Sequence, residues 1–221
     1  AIADLLTPNE FFGCKRLCVD DGYWATFNRP NVVLVDVSET PIEKITADGV
    51  RVNGQDYDFD AIVFATGFDA MTGSLLRIDI RGRDGTALRD RWAEGPRAYL
   101  GVAVAGFPNL FTITGPGSPS VLASMVAGVE QHVEWIGDCI GHMRERGVSR
   151  IEAKVEAEDE WVERNSEIAE RSLRSTCNSW YVAANLPGRP RVFMPYISGL
   201  PSYLQECARV VANGYEGFTL R

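Results

Sequence analysis

Along this chain apolar residues recur with two different periods, and the change from one to the other follows Ser120. Before it, short β-branched or apolar runs are punctuated by Gly, Pro and Asn. Residues 31–37, read Asn-Val-Val-Leu-Val-Asp-Val and bounded by Pro30 and Pro41, have the look of a buried strand. Residues 49–52 and 55–59 flank Asn53-Gly54, a pair that tolerates positive φ at both central turn positions, so a β-hairpin is expected there. Residues 61–65 (Ala-Ile-Val-Phe-Ala) form a continuous apolar strand pattern running into Thr66-Gly67. Three further strand patterns follow: 76–80 with a turn at Arg83-Asp84-Gly85, then 99–104, then 109–114. After Gly115-Pro116-Gly117-Ser118-Pro119-Ser120 the period becomes helical. Leu122, Met125, Val126, Val129, Val133, Ile136, Ile140 and Met143 predict one long helix ending near Gly147.

A second amphipathic helix is expected from Glu152 to about Arg174, with Trp161, Ile168 and Leu173 on its apolar face. Its acidic run reads as a solvated face. Residues 178–195, rich in Pro, Gly and aromatics, form an extended loop of the length that is often functional. Pro201 opens a last short helix carrying Leu204, Cys207, Ala208 and Val211, closed at Asn213-Gly214. The fold class is α/β, with hairpins and a long helix after the last parallel strand.

Composition narrows the classes of function. With 221 residues, 45% hydrophobic and 24% charged, the chain can bury one large core or two small ones. A net charge of -8 argues against a nucleic-acid backbone as partner, because such binding rests on clustered cations. No apolar run reaches the roughly 20 residues that cross a bilayer, and no leader pattern is present, so a soluble cytoplasmic protein is expected. The five cysteines are odd in number and scattered, which reads as free thiols rather than a disulfide framework or a zinc ribbon. The opening residues, Ala1 onward, carry no cap or strand signal and suggest a start inside something longer.

Three constellations could carry chemistry. Gly115-Pro116-Gly117-Ser118-Pro119-Ser120 joins a strand pattern to a helix start, but the third glycine of a dinucleotide fingerprint is replaced by Ser120. It reads either as a plain helix cap or as a helix N-terminus offering N–H groups to an electron-rich partner such as the edge of a flavin. Lys15-Arg16 is on spacing alone a surface basic pair. Ser179-Trp180-Tyr181 could stack on a cofactor or simply fill space. Metal is not expected: the two histidines, His132 and His142, share the long helix, and the scattered cysteines form no zinc ribbon. Nor does a Gly-x-Ser-x-Gly nucleophile elbow occur.

Taken in order, Gly13-Cys14-Lys15-Arg16-Leu17-Cys18, Tyr23 to Pro30, Phe64-Ala65-Thr66-Gly67-Phe68, Phe107 to Ser120, Ser179-Trp180-Tyr181 and Asn213 to Phe218 resemble the C-terminal portion of cyclohexanone monooxygenase-like Baeyer–Villiger monooxygenases. The resemblance covers essentially the whole chain. It implies part of a two-dinucleotide-domain, Rossmann-like flavoprotein that binds FAD and NADPH and uses O2 to convert ketones to esters or lactones through a C4a-peroxyflavin. On that reading residues 1–12 end a helical insertion, 13–59 close the NADPH-binding domain, and 60–221 close the FAD-binding domain, with 178–195 as a substrate-side loop.

The resemblance also implies roles. Arg16 would be the catalytic cation and Lys15 the partner of the NADPH 2′-phosphate. Thr66 and Gly67 would form the crossing between cofactor domains, Gly117, Ser118 and Met125 would face the flavin, and Val121 and Leu122 would line the substrate pocket. Trp180 would close over the nicotinamide. The family's two Gly-x-Gly-x-x-Gly loops are not in this sequence, so the chain is expected to be an incomplete enzyme whose partner is the missing N-terminal part of the same polypeptide. The alternatives are a non-catalytic binding module and an N- or S-oxygenating flavin monooxygenase.

Overall fold

Asn53 and Gly54 both take positive φ, 50° and 72°, in the computed structural model, which describes residues 2–221. They make the expected hairpin from β2 (Gly49–Val52) and β3 (Gln55–Asp58), paired from Gly49 with Asp58 to Val52 with Gln55. The register admits only glycine at its open end, because a Cβ on Gly49 would lie 1.8 Å from the Tyr57 carbonyl oxygen. β1 (Ile42–Ile45), which the pattern did not announce, adds to the other edge of β2 with a bulge between Ile42 and Lys44. This antiparallel sheet and the short helices α1 (Ile2–Leu6) and α2 (Tyr23–Thr26) belong to a unit made of the residues up to Glu10 together with Leu17–Gly67.

Phe11–Arg16 and Phe68–Arg221 form the second unit. Its elements are α3 (Gly73–Leu76), α4 (Leu88–Arg91), α5 (Met125–Glu145), β4 (Ile151–Ala153), α6 (Val155–Glu170), α7 (Leu200–Ala212) and β5 (Phe218–Leu220). β4 and β5 pair antiparallel, Ile151 with Leu220 and Ala153 with Phe218. The main core gathers Trp135, Cys139 and Met143 of α5, Trp161 of α6, and Tyr203, Cys207 and Val210 of α7 around Tyr99, Leu100 and Phe218. Within α5 and α7 these residues recur every three or four positions, so each of the two turns one face to this core. A smaller cluster holds Leu88, Trp92, Ala98, Val104 and Phe107.

Several expected strands are absent. Residues 31–37 and 61–65 run without a paired neighbour among the described residues, and Val33, Val63 and Phe64 are 75%, 89% and 66% exposed. An extended segment becomes a strand only when another backbone takes its N–H and C=O groups, which no apolar run can guarantee alone. Residues 109–114 are likewise irregular, with the Asn109 N–H bonded to the Ile151 carbonyl and the Thr112 N–H to that of Val102. In 99–104 the chain reverses instead, because Leu100 and Gly101 adopt φ of 56° and 72°. In 76–80, α3 takes Leu76, and only a single bridge, Arg81 to Ala87, closes the turn at 83–85.

The helices form nearly where expected, but some turn differently. α5 ends at Glu145, with Gly147 at φ 66° and the Val148 N–H bonded to the Met143 carbonyl. It is apolar on two faces. It buries His132, Trp135, Cys139 and Met143 and leaves Val126, Val129, Val133 and Ile140 outward. α6 starts three residues after Glu152, because Ile151 and Ala153 alternate inward as β4. Among the described residues no helix is long and apolar enough to cross a membrane.

Candidate functional site

The Gly-rich turn at 115–120 is held from several sides. Thr114, Gly117 and Ser120 all take positive φ, at 53°, 87° and 43°. The Gly117 N–H donates to the Met194 carbonyl at 2.7 Å, and the indole N–H of Trp161 donates to the Gly117 carbonyl at 3.0 Å. Ser118 is fully buried. Its hydroxyl donates to the Gly115 carbonyl at 2.7 Å and its carbonyl accepts the Tyr196 N–H at 2.7 Å, so it shapes the turn and its hydroxyl is not presented outward. Backbone packs directly against it: a Cβ on Gly101 would lie 2.5 Å from the Ser118 nitrogen.

The approach to this turn is tied to α5 and α7 through a histidine. His132 Nδ1 accepts the Thr114 N–H at 2.8 Å, Nε2 lies 2.7 Å from the Tyr203 hydroxyl, and that hydroxyl donates to the Leu100 carbonyl at 2.6 Å. An Nδ1 that accepts places the ring proton on Nε2, which therefore donates to the Tyr203 oxygen. The ring is neutral, and burial lowers its pKa to about 4.

A single 3-10 turn, Ser120–Leu122, leads into α5, with Val121 and Leu122 half-buried and Met125 37% exposed. The N-cap, Ser124, makes no side-chain cap, and the first turn holds no acidic residue. The outward N–H groups of this 21-residue helix therefore face no anionic side chain of their own turn. Phe68–Thr72, which follows Gly67 in sequence, docks nearby. The Asn185 amide donates to the Phe68 carbonyl at 3.2 Å, and the Ser120 hydroxyl lies 3.6 Å from the Met71 sulfur.

Residues 178–195 are anchored rather than loose. Trp180–Val182 make a 3-10 turn opened by buried Ser179, and the Met194 N–H bonds to the Tyr181 carbonyl at 3.0 Å. Trp180 is half-exposed, with its ring 4.7 Å from that of Tyr181. The expectation of free thiols fails at one pair: Cys14 and Cys177 are disulfide-bonded, with Cα atoms 5.4 Å apart. Their separation of 163 residues hid the pairing, since spacing reveals only local frameworks. Cys18 is exposed, whereas Cys139 and Cys207 are buried thiols whose pKa values burial pushes up to about 11.

The bridge brings the segment of Lys15 and Arg16, both exposed, to the start of the Trp180 loop. Backbone bonds from Tyr181 to Met194 and from Met194 to Gly117 continue the connection to the Gly-rich turn. Lys15–Arg16, Gly117 and Trp180, far apart in sequence, thus lie on one connected set of segments. Thr66 and Gly67 end the other unit, both exposed, and Gly67 at φ 81° holds a conformation that suits glycine.

Sequence reasoning passed over three residues. Glu158, in the run read as solvated, is fully buried. It accepts the Ala105 N–H at 2.9 Å and pairs with Arg91 and Arg97, while burial raises its pKa. Its position three residues before Trp161 on the same helical stripe was the available signal. His132 stands in the same relation to Trp135, and Trp161 itself was assigned only to the core.

No family model matches the sequence. A cyclohexanone 1,2-monooxygenase from Acinetobacter sp is 40% identical over 100% of this chain and 40% of its own length. Among solved structures, an oxidized steroid monooxygenase bound to NADP is 49% identical with a TM-score of 0.90, covering 99% of this chain and 41% of that one. The structure named OTEMO, in complex with FAD and NADP, is 41% identical with a TM-score of 0.91, covering 100% of this chain and 41% of that one. The chain thus spans about two fifths of the length of the relatives it matches. Over essentially its whole length the chain is similar, in sequence and in fold, to about two fifths of Baeyer–Villiger monooxygenases of the cyclohexanone monooxygenase type.

Proposed function

We propose that this chain supplies the catalytic arginine and the substrate-side wall of a FAD- and NADPH-dependent monooxygenase that converts ketones to esters or lactones. The overall balance is ketone, O2, NADPH and a proton giving ester, NADP+ and water. The observation that carries the reading is the connection of the Lys15–Arg16 segment, the Trp180 loop and the Gly117 turn through one disulfide and two backbone hydrogen bonds. The uncapped start of α5, with no carboxylate in its first turn, suits an electron-rich ring edge. Bound flavin supplies the oxygen chemistry, and the protein supplies position and charge.

Arg16 holds a permanent cation where negative charge develops on the carbonyl oxygen of the ketone. Lys15 offers a point charge to a 2′-phosphate, which selects NADPH over NADH. Trp180, half-exposed beside buried Tyr181, covers the reacting face and limits water, while Val121, Leu122 and Met125 give the pocket an apolar rim. Residues 13–59 go with the NADPH side and 60–221 with the FAD side. The rest of such a polypeptide carries the phosphate-binding loops and covers the exposed apolar groups around Val33, Val63 and the outer face of α5.

The test is Arg16→Ala in the full-length protein, assayed for ester or lactone by gas chromatography against a panel of cyclic and linear ketones. Product formation is expected to disappear while NADPH still bleaches the flavin. Undiminished ketone oxidation would remove Arg16 from the chemistry.

A further inference from the structure

The Cys14–Cys177 bond is placed unlike a core staple. Both sulfurs belong to buried residues, 2% and 3% exposed, yet neither residue belongs to either hydrophobic cluster. The neighbours on both sides are open: Phe12, Lys15 and Arg16 are exposed, and so are Thr176 and Asn178. Opening that admits a reductant can therefore be local, without disturbing α5, α6 or α7. What the bond joins is also specific. Cys14 immediately precedes Lys15-Arg16, and Cys177 lies three residues before Trp180. The chain visits the larger unit only for Phe11–Arg16 before returning to the smaller one at Leu17, so the bond fixes a short excursion in place.

We propose that this disulfide is a redox-sensitive clasp that sets the spacing between the Lys15–Arg16 segment and the Trp180 loop. Its reduction by a dithiol loosens both segments and leaves the helical core intact. In that step the S–S bond breaks, the dithiol gives up two electrons and two protons to form two cysteine thiols, and the dithiol itself closes to a disulfide. Cys139 and Cys207, buried with raised thiol pKa values, stay out of the exchange. The significance for turnover rests on the proposed function, but the clasp is tested without turnover, so either can fail while the other stands.

The experiment uses the full-length protein purified without reductant. Alkylation under denaturing, non-reducing conditions followed by peptide mass mapping should find the Cys14 and Cys177 peptides linked. Hydrogen–deuterium exchange is then compared before and after dithiothreitol, with reoxidation as the return step. Exchange in residues 177–194 should accelerate by about tenfold on reduction, while amides of α5 and α7 change by less than about twofold. The double variant Cys14→Ser, Cys177→Ser should show the reduced pattern and no response to dithiothreitol. The proposal is overturned by an unlinked pair in the oxidised protein or by unchanged exchange in 177–194. Loss of protection throughout α5 and α7 would overturn it too, since the bond would then be a general staple.

Discussion

His132 makes the strongest quantitative prediction, because its ring must stay neutral to accept the Thr114 N–H. Its pKa is about 4 in the folded protein against 6.5 for the ordinary group. The folded state therefore binds its proton later than the unfolded chain as pH falls. The contribution is fully present above about pH 6.5 and is lost progressively as pH drops toward 4. Between about pH 8 and about pH 5 that linkage amounts to roughly 2 kcal/mol. His132→Gln keeps an acceptor for the Thr114 N–H but cannot titrate. It should cost about 1–2 kcal/mol at pH 8, from imperfect replacement of the two hydrogen bonds. As the pH falls to about 5, the difference should move by about 2 kcal/mol in the variant's favour, closing the gap or reversing it. Urea unfolding at several pH values, followed by circular dichroism on both proteins, measures the gap. Identical pH slopes would refute the neutral, loop-anchoring histidine.

Other substitutions probe the same region. Gly101→Ala, at φ 72° with its new Cβ 2.5 Å from the Ser118 nitrogen, should lower stability by more than about 2 kcal/mol, read from the urea midpoint. Trp161→Phe removes the donor to the Gly117 carbonyl and should cost about 1 kcal/mol, seen as a Tm lowered by a few degrees. Glu158→Ala leaves the Ala105 N–H and the Arg91 guanidinium without their shared carboxylate and should cost about 3 kcal/mol or more; a midpoint unchanged from wild type would show that the pair adds nothing. In the full-length protein Lys15→Ala should raise the KM for NADPH about tenfold or more and leave that for NADH nearly unchanged, whereas equal effects would argue against a 2′-phosphate contact.

What could be read in the sequence and what could not divide along physical lines. The Asn53-Gly54 hairpin and the glycine-closed ends of α5 and α7 are written in neighbouring residues, and they formed where local chemistry put them. Strands at 31–37 and 61–65 depend on a partner backbone, which composition cannot supply. The outward face of α5 shows the same limit: a helix apolar on two sides does not say which side its own chain will cover. At the site, the linked motifs marked the Lys15–Arg16 segment, the Gly117 turn and the Trp180 loop, and these segments adjoin. Ser118, which the resemblance sets facing the flavin, turns its hydroxyl back onto the Gly115 carbonyl. Helical spacing marks His132, Trp161 and Glu158 as inward-facing, but not which distant carbonyl or N–H each one meets.

The bond between residues 14 and 177 also makes most of the chain a covalent ring. The hairpin, α5 and α6 lie inside that ring, and α7 and β5 hang outside it. Val19, fully exposed, is an accessible place for a protease to cut inside it. One such cut would linearise the ring without separating it, so the short N-terminal piece and the rest of the chain would stay tethered at high effective concentration and migrate as one species until reduced. A cut at an exposed position outside the ring, such as Gly188, would instead leave the piece carrying α7 and β5 held by non-covalent contacts alone, the β4–β5 pairing and the packing of α7 among them. Resistance to damage is therefore unequal along this molecule, and the boundary is set by two cysteines.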